Sequence, residues 1–351
     1  MKKFWENKKV VVTGAAGFIG SHAVKTLIEN GAVVTAIISD NTTDKQINVL
    51  FKNYLDKIFL KKVNLLNKES CIDATKDQEI LLNFAALDGG TSFKQKYPAQ
   101  IYKTNTQIVM NILDAAVKNK IERILIISSI EVYPKNLKSP IIEKYSLKEN
   151  FQEEANGYTW SKRFGEIAAK MYTKEYGLKI AIARMGNVYG PGDYVNSEKG
   201  RVVPLFITQI LEKKKVTLLG NGKTKRSFLY VSDAVDALLS LTELYPVCDP
   251  VNIVSSTYVT IKSLAEKIGK LTNQKVVFSF ILDNLNSSTH TSALKGVVLV
   301  LALSTPIKKA FTPPILGLPI TEKVLSPIIC LYIVLTEAPL LFRCNFKLIN
   351  V

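Results

Sequence analysis

The sequence predicts an α/β fold, a Rossmann-like doubly wound parallel sheet with a smaller substrate-binding lobe. Three observations predict it. Short β-branched runs alternate with longer helical patterns through the first half of the chain. A glycine-rich turn, Thr13 to Gly20, joins the first strand to the first helix. With 351 residues, 47% hydrophobic and 22% charged, the chain is long enough for one large domain with a lobe.

In order, Lys9 to Thr13 reads as a buried strand and Gly20 to Asn30 as a helix ended by Gly31. Val33 to Ile38, Ile58 to Val63 and Ile80 to Phe84 are expected as strands two to four. A long helix over Tyr102 to Asn119 precedes a strand at Arg123 to Ser128. Gly157 to Tyr176 follows as helix and Leu178 to Ala183 as strand. Such alternation implies ligands at the carboxyl ends of the strands.

From about Gly190 the pattern loosens, with helices expected at Val202 to Lys213, Ser232 to Leu244 and Ile261 to Leu271, and a strand at Val216 to Leu219. The expected division is a dinucleotide-binding domain over 1–185 and, over 186–283, a lobe interleaved with the sheet. Residues 284–351 differ in character: they hold six of the 13 prolines and two acidic residues. Their apolar runs are too short to span a bilayer. A frame change in the gene and a divergent tail are the two readings.

The formal charge is +16, with 46 Lys and Arg against 30 Asp and Glu. The basic residues are scattered and mostly Lys, without the interleaved aromatics of a single-strand platform, so nucleic acid is not the expected partner. Cys71, Cys248, Cys330 and Cys344 lie far apart, which points to neither a metal site nor a disulfide framework. The apolar run Val10 to Val12 is too short for a signal core, and a cytoplasmic protein is expected.

The chemistry sits on two signals. Gly14, Gly17 and Gly20 allow a tight turn and close approach of backbone to a pyrophosphate at a helix N-terminus. An acid at the end of the second strand would read a ribose 2′-hydroxyl. Here Ile38 and Ser39 precede a displaced Asp40, so NAD and NADP both stay open. Downstream, Ser129 ends a strand, and Tyr158 and Lys162 lie four apart on one helix face. A free tyrosine titrates near 10, about three units too high for a base at neutral pH. Adjacent positive charge stabilises its phenolate, and a serine hydroxyl would orient the substrate.

Taken together, these residues resemble the NAD-dependent epimerase/dehydratase family of extended short-chain dehydrogenases. The likeness runs from about residue 8 to 282 through TGAAGFIGSH at 13–22, NFAA at 83–86, Asn105, SSIEVYP at 128–134 and YTWSK at 158–162. It continues through RMGNVYGPGD at 184–193, GRVVP at 200–204, GNGKTKRSFLYVSD at 220–233 and VNI at 251–253. The resemblance implies a catalytic triad of Ser129, Tyr158 and Lys162, with Glu131 as a further acid. It implies a dinucleotide held by Gly14, Gly17, Phe18, Ile19, Gly20, Asn64, Ala85, Ala86, Asn105, Tyr158 and Lys162. Asn187 and Arg226 match positions that grip the substrate's diphosphate, and Arg201 joins the substrate side. A nucleotide-sugar substrate and a homodimer are expected.

YPKNLKSPIIE at 133–143 and AALDGG at 85–90 are similar to GDP-fucose synthases, but Glu131 and Arg201 stand where that subgroup has Cys and His. Glu131 is similar to the acid of dehydratases and decarboxylases, or is a structural carboxylate. Ile130 replaces the Asp that hexose dehydratases pair with it. An epimerase is the simplest expectation, with a dehydratase, decarboxylase or keto-sugar epimerase-reductase as alternatives. A non-catalytic dinucleotide-binding regulator is the rival from another class. Nothing from Asn284 onward matches the family pattern.

Overall fold

The computed structural model describes residues 2–134, 141–145, 156–193, 195, 200–213 and 215–281. The first half holds β1 (Lys9–Thr13), β2 (Val33–Ile38), β3 (Ile58–Lys62), β4 (Ile80–Asn83) and β5 (Arg123–Ser129). After a short opening helix α1 (Lys2–Trp5), these alternate with α2 (Phe18–Glu29), α3 (Asp44–Phe51), α4 (Lys68–Ala74), α5 (Thr91–Lys96) and α6 (Pro98–Lys118). The second half runs α7 (Gly157–Tyr176), β6 (Ile180–Met185), β7 (Asn187–Tyr189), α8 (Val202–Lys213), β8 (Lys215–Leu219) and β9 (Lys225–Tyr230). It ends with α9 (Val231–Leu244), β10 (Pro250–Ile253), β11 (Tyr258–Thr260), α10 (Ile261–Leu271) and β12 (Val277–Ile281).

The main sheet has seven strands in the order β10-β6-β5-β4-β1-β2-β3, and every pairing in it is parallel. The order reverses between β1 and β4, which opens a crevice at their carboxyl ends. Because alternate residues of a strand face opposite sides, β1 serves two cores. Val10 and Val12 join Leu27, Val235 and Leu238 on one side, and Val11 joins Ile112, Ala168 and Ile180 on the other. The chain therefore returns after β7, so that α9 and β10 complete the large sheet's layers.

The smaller lobe combines the β11-β9-β7 and β12-β8 sheets with α8 and α10. Phe206, Ile210, Leu218, Phe228 and Leu264 form its core. The expectation for Val202 to Lys213 matches α8 residue for residue. The long helix begins at Pro98 rather than Tyr102, since Pro suits a first helical turn whose N–H would be unpaired anyway. Helices α3 to α5 were missed because each spans little more than two turns at most, too little for a helical period to register. Gly177 closes α7 in the left-handed conformation, with φ at 71°.

No helix among the described residues is long and apolar enough to cross a membrane. Among those residues no cluster of His, Cys, Asp or Glu could hold a metal ion. The tail 284–351, with Cys330 and Cys344, lies outside the described residues, as does most of the 133–143 segment.

Candidate functional site

The turn after β1 lies at the sheet's switch point. Gly14 adopts φ 63°, and a Cβ there would sit 2.8 Å from the Ala85 backbone nitrogen. A Cβ on Gly20 would meet the Gly14 carbonyl oxygen at 2.3 Å. Both positions require glycine for space, Gly14 also for conformation. Gly17 caps α2 without a side-chain hydrogen bond, and the first helical turn holds no acid. That leaves a bare helix N-terminus facing the crevice, which fits an anionic pyrophosphate. Phe18 is buried and Ile19 packs against the core, so these two position the turn.

At the edge of the sheet Ile38 is buried while Ser39 and Asp40 are exposed, and Ile38 lies in register with Lys62 of β3. Asn64 is exposed just beyond β3, its side-chain oxygen accepting from Leu66 N at 3.0 Å. Ala85 and Ala86 line a cavity of about 10 Å³ with Asn83, Asn105, Ser161 and Lys162. Asn105 accepts from Leu87 N at 2.7 Å and donates to Leu87 O and Ser161 Oγ, which braces the loop after β4 against α7.

Ser129, Tyr158 and Lys162, expected as a triad, lie on β5 and α7. Ser129 ends β5, and its hydroxyl accepts from Glu131 N at 3.2 Å. Tyr158 lies in the first turn of α7, where Asn156 caps the helix by accepting from Thr159 N. Lys162, one turn on, donates to Ile127 O at 2.9 Å and has its Nζ 5.4 Å from the centre of the Tyr158 ring. Burial pushes the Tyr158 hydroxyl well above its ordinary value, with Asp88 and Glu131 adding to the effect and Arg201 and Ser129 opposing it. Burial lowers Lys162 to about 8, and Lys94 pushes the same way.

A set of charges surrounds the triad. Lys94 of α5 is buried, 2.6 Å from Glu131 and 3.3 Å from Asp88, with its Nζ 3.6 Å above the Tyr158 ring. Arg201 bridges Asp88 at 3.2 Å and Asp193 at 3.5 Å, and its guanidinium lies 5.7 Å from the Phe18 ring. Burial opposes ionisation of Lys94, yet Glu131 and Asp88 outweigh it and hold the ammonium above its usual range. Asp88 stays below the usual carboxylate range despite burial, because Lys94 and Arg201 flank it. Sequence reasoning missed Asp88, Lys94 and Asp193. The signal available was AALDGG, a polar loop leaving a strand at the ligand-binding edge.

On the lobe side Asn187 donates to Ser227 O at 3.1 Å, tying β7 to β9. Arg226 donates to Lys225 O at 3.0 Å. Burial lowers its basicity, and the charge of Glu131 partly restores it. Beneath the site Arg184 and Glu166 form a buried two-pronged ion pair.

The pattern of strand, glycine turn, strand-end serine and Tyr158/Lys162 helix is that of a known group, whose model matches residues 10–253. The chain belongs to the NAD dependent epimerase/dehydratase family. Its relatives in this family are enzymes. It is 31% identical over 267 residues to a dTDP-4-dehydro-6-deoxy-D-allose reductase of a Streptomyces species, covering 74% of this chain and 80% of that one. It is 33% identical over 273 residues to UDP-glucuronic acid decarboxylase 1 of Arabidopsis thaliana, covering 78% of this chain and 60% of the other. Among solved structures it resembles a UDP-N-acetylglucosamine 4-epimerase of Methanobrevibacter ruminantium in complex with UDP-N-acetylmuramic acid. That match has a TM-score of 0.72 at 27% identity, over 83% of this chain and 90% of that one.

Proposed function

We propose that this family member reduces a keto group on a nucleotide-linked sugar, adding one hydride to the carbonyl carbon and one proton to its oxygen. The observation that carries the reading is the Lys94–Glu131 pair at 2.6 Å, with the Lys94 ammonium 3.6 Å above the Tyr158 ring. Elimination or enolisation at a neighbouring carbon needs a second acid or base free to move a C–H proton. Glu131, neutralised by Lys94, is poorly placed for that duty, which leaves the Tyr158 hydroxyl as the proton-transfer group.

In this reading Ser129 orients the carbonyl oxygen, and Tyr158 gives it a proton. The resulting phenolate is stabilised by Lys162 and the other nearby ammonium. NAD(H) or NADP(H), held along Gly14, Gly17 and Gly20 with Asn64, Ala85, Ala86 and the loop braced by Asn105, supplies the hydride when bound. Arg226 and Asn187 grip the diphosphate, since a guanidinium makes paired charge-assisted hydrogen bonds to such groups. Arg201 borders the sugar end between Phe18 and Tyr158.

A second reading is an epimerase, in which the hydride leaves and returns at the same carbon. The likeness to the solved 4-epimerase supports it, and the same Ser129, Tyr158 and Lys162 would serve. The test is a panel of dTDP-, UDP- and GDP-linked sugars and 4-keto sugars, each with and without reduced dinucleotide. Stoichiometric oxidation of NADH or NADPH with one alcohol formed supports the reductase. Interconversion of two alcohols without net oxidation supports the epimerase. Dinucleotide binding with no turnover across the panel would overturn both in favour of a binding protein.

A further inference from the structure

We propose that Lys94 is a positioning residue of this reaction, seated as a second ammonium against the Tyr158 ring in addition to Lys162. The inference rests on the reading of Tyr158 as the proton-transfer group.

The geometry is specific. Two ammonium groups address one buried phenol: Lys94 Nζ lies 3.6 Å above the ring centre, closer than Lys162 Nζ at 5.4 Å. A cation over a ring face is attracted by its π-electrons, more strongly where water is excluded. The attraction grows when the ring becomes a phenolate, so Lys94 favours the state that follows proton donation. Glu131 at 2.6 Å and Asp88 at 3.3 Å hold the ammonium in that place. They also keep it charged although it is buried. Lys94 thus acts through Tyr158 and Lys162 rather than on the substrate.

Lys162 feels the same arrangement. The charged groups facing it are Asp88 and Glu131, which favour its ammonium form, and Lys94, which disfavours it. Tyr158 and the Ile127 carbonyl are its other polar neighbours. Lys94 therefore lowers the proton affinity of the lysine beside the reacting hydroxyl, and Glu131 partly restores it.

The test uses the full chain with its lysines reductively methylated with ¹³C, the Lys162 resonance being assigned through Lys162→Arg. Lys94→Gln, which keeps a hydrogen-bond donor to Glu131, should move the Lys162 midpoint to higher pH. Glu131→Gln should move it to lower pH, and Lys94→Arg should leave it near the wild-type position. Lys94→Met, which retains the ring contact without charge, stands in if the glutamine variant does not fold. A midpoint unmoved by loss of the Lys94 charge, or moved the same way by both neutralisations, overturns the proposal. With whichever 4-keto sugar of the panel is turned over, Lys94→Gln should lower kcat by roughly thirtyfold at constant KM, the rate equivalent of a desolvated cation–π contact. Activity that survives in Tyr158→Phe would instead defeat the functional reading and leave the Lys162 titration result standing.

Discussion

Replacing Glu166 by Gln removes one half of a buried ion pair. Arg184 is fully buried, and its Nε and Nη2 donate to the two Glu166 oxygens at 2.8 and 2.6 Å. Its Nη1 donates to Tyr133 Oη at 2.9 Å and to Glu143 O at 2.8 Å, and Ser128 Oγ donates to Glu166 at 2.5 Å. Burial works against the Arg184 charge, but Glu166 more than compensates and holds the guanidinium above its usual range. The Glu166→Gln change would take the two-pronged carboxylate partner from that buried charge, at a cost of about 3–5 kcal/mol. At about 2–4 °C per kcal/mol for a domain of this size, the loss corresponds to a fall in Tm of roughly 6–20 °C. Thermal unfolding followed by far-ultraviolet circular dichroism at neutral pH measures it. The double replacement Arg184→Met with Glu166→Leu should recover much of the loss, because it removes both charges together. A fall below about 1 kcal/mol in Glu166→Gln, or a double variant less stable than the single one, would refute the reasoning.

Four further outcomes follow from the site. Gly20→Ala would place a Cβ 2.3 Å from the Gly14 carbonyl oxygen. It should cost about 1–3 kcal/mol of stability and weaken NADH and NADPH binding, and calorimetric titration showing wild-type affinity would contradict the turn assignment. Tyr158→Phe should lower turnover by about a hundredfold to ten-thousandfold while sparing dinucleotide affinity, and a loss under tenfold would remove Tyr158 from the mechanism. Turnover should decline as pH rises through about 8, where Lys162 loses its proton. Because burial lowers the folded-state value from 10.5, Lys162 destabilises the fold most below about 8 and progressively less towards 10.5. The stability difference between wild type and Lys162→Met should shrink over that window, and a constant difference would argue against a depressed Lys162.

What could be read along the chain is what short segments decide for themselves. β1, its glycine turn and the first turns of α2 follow from backbone needs within about eight residues. Tyr158 and Lys162 share a face because a helix returns to the same side every three to four residues. The boundaries of α8 and α10 were equally local, set by continuous runs of apolar and helix-favouring residues.

What lay beyond such reading depended on chain closure. Lys94 meets Glu131 across 37 positions and Arg201 meets Asp88 across 113, so neither pair leaves a local pattern. The first exists because parallel pairing brings the ends of β4 and β5 together, and the second because the chain after β7 returns to the loop that follows β4. The pairing of β10 with β6 was hidden for the same reason, since a four-residue strand carries no mark of its partner. The sequence alone determined the glycine turn and the shared helical face of Tyr158 and Lys162, because sterics and helical period act between near neighbours. Only the tertiary structure decided that Glu131 is held by Lys94 over the Tyr158 ring, because attraction between buried charges depends on distance through space and not along the chain.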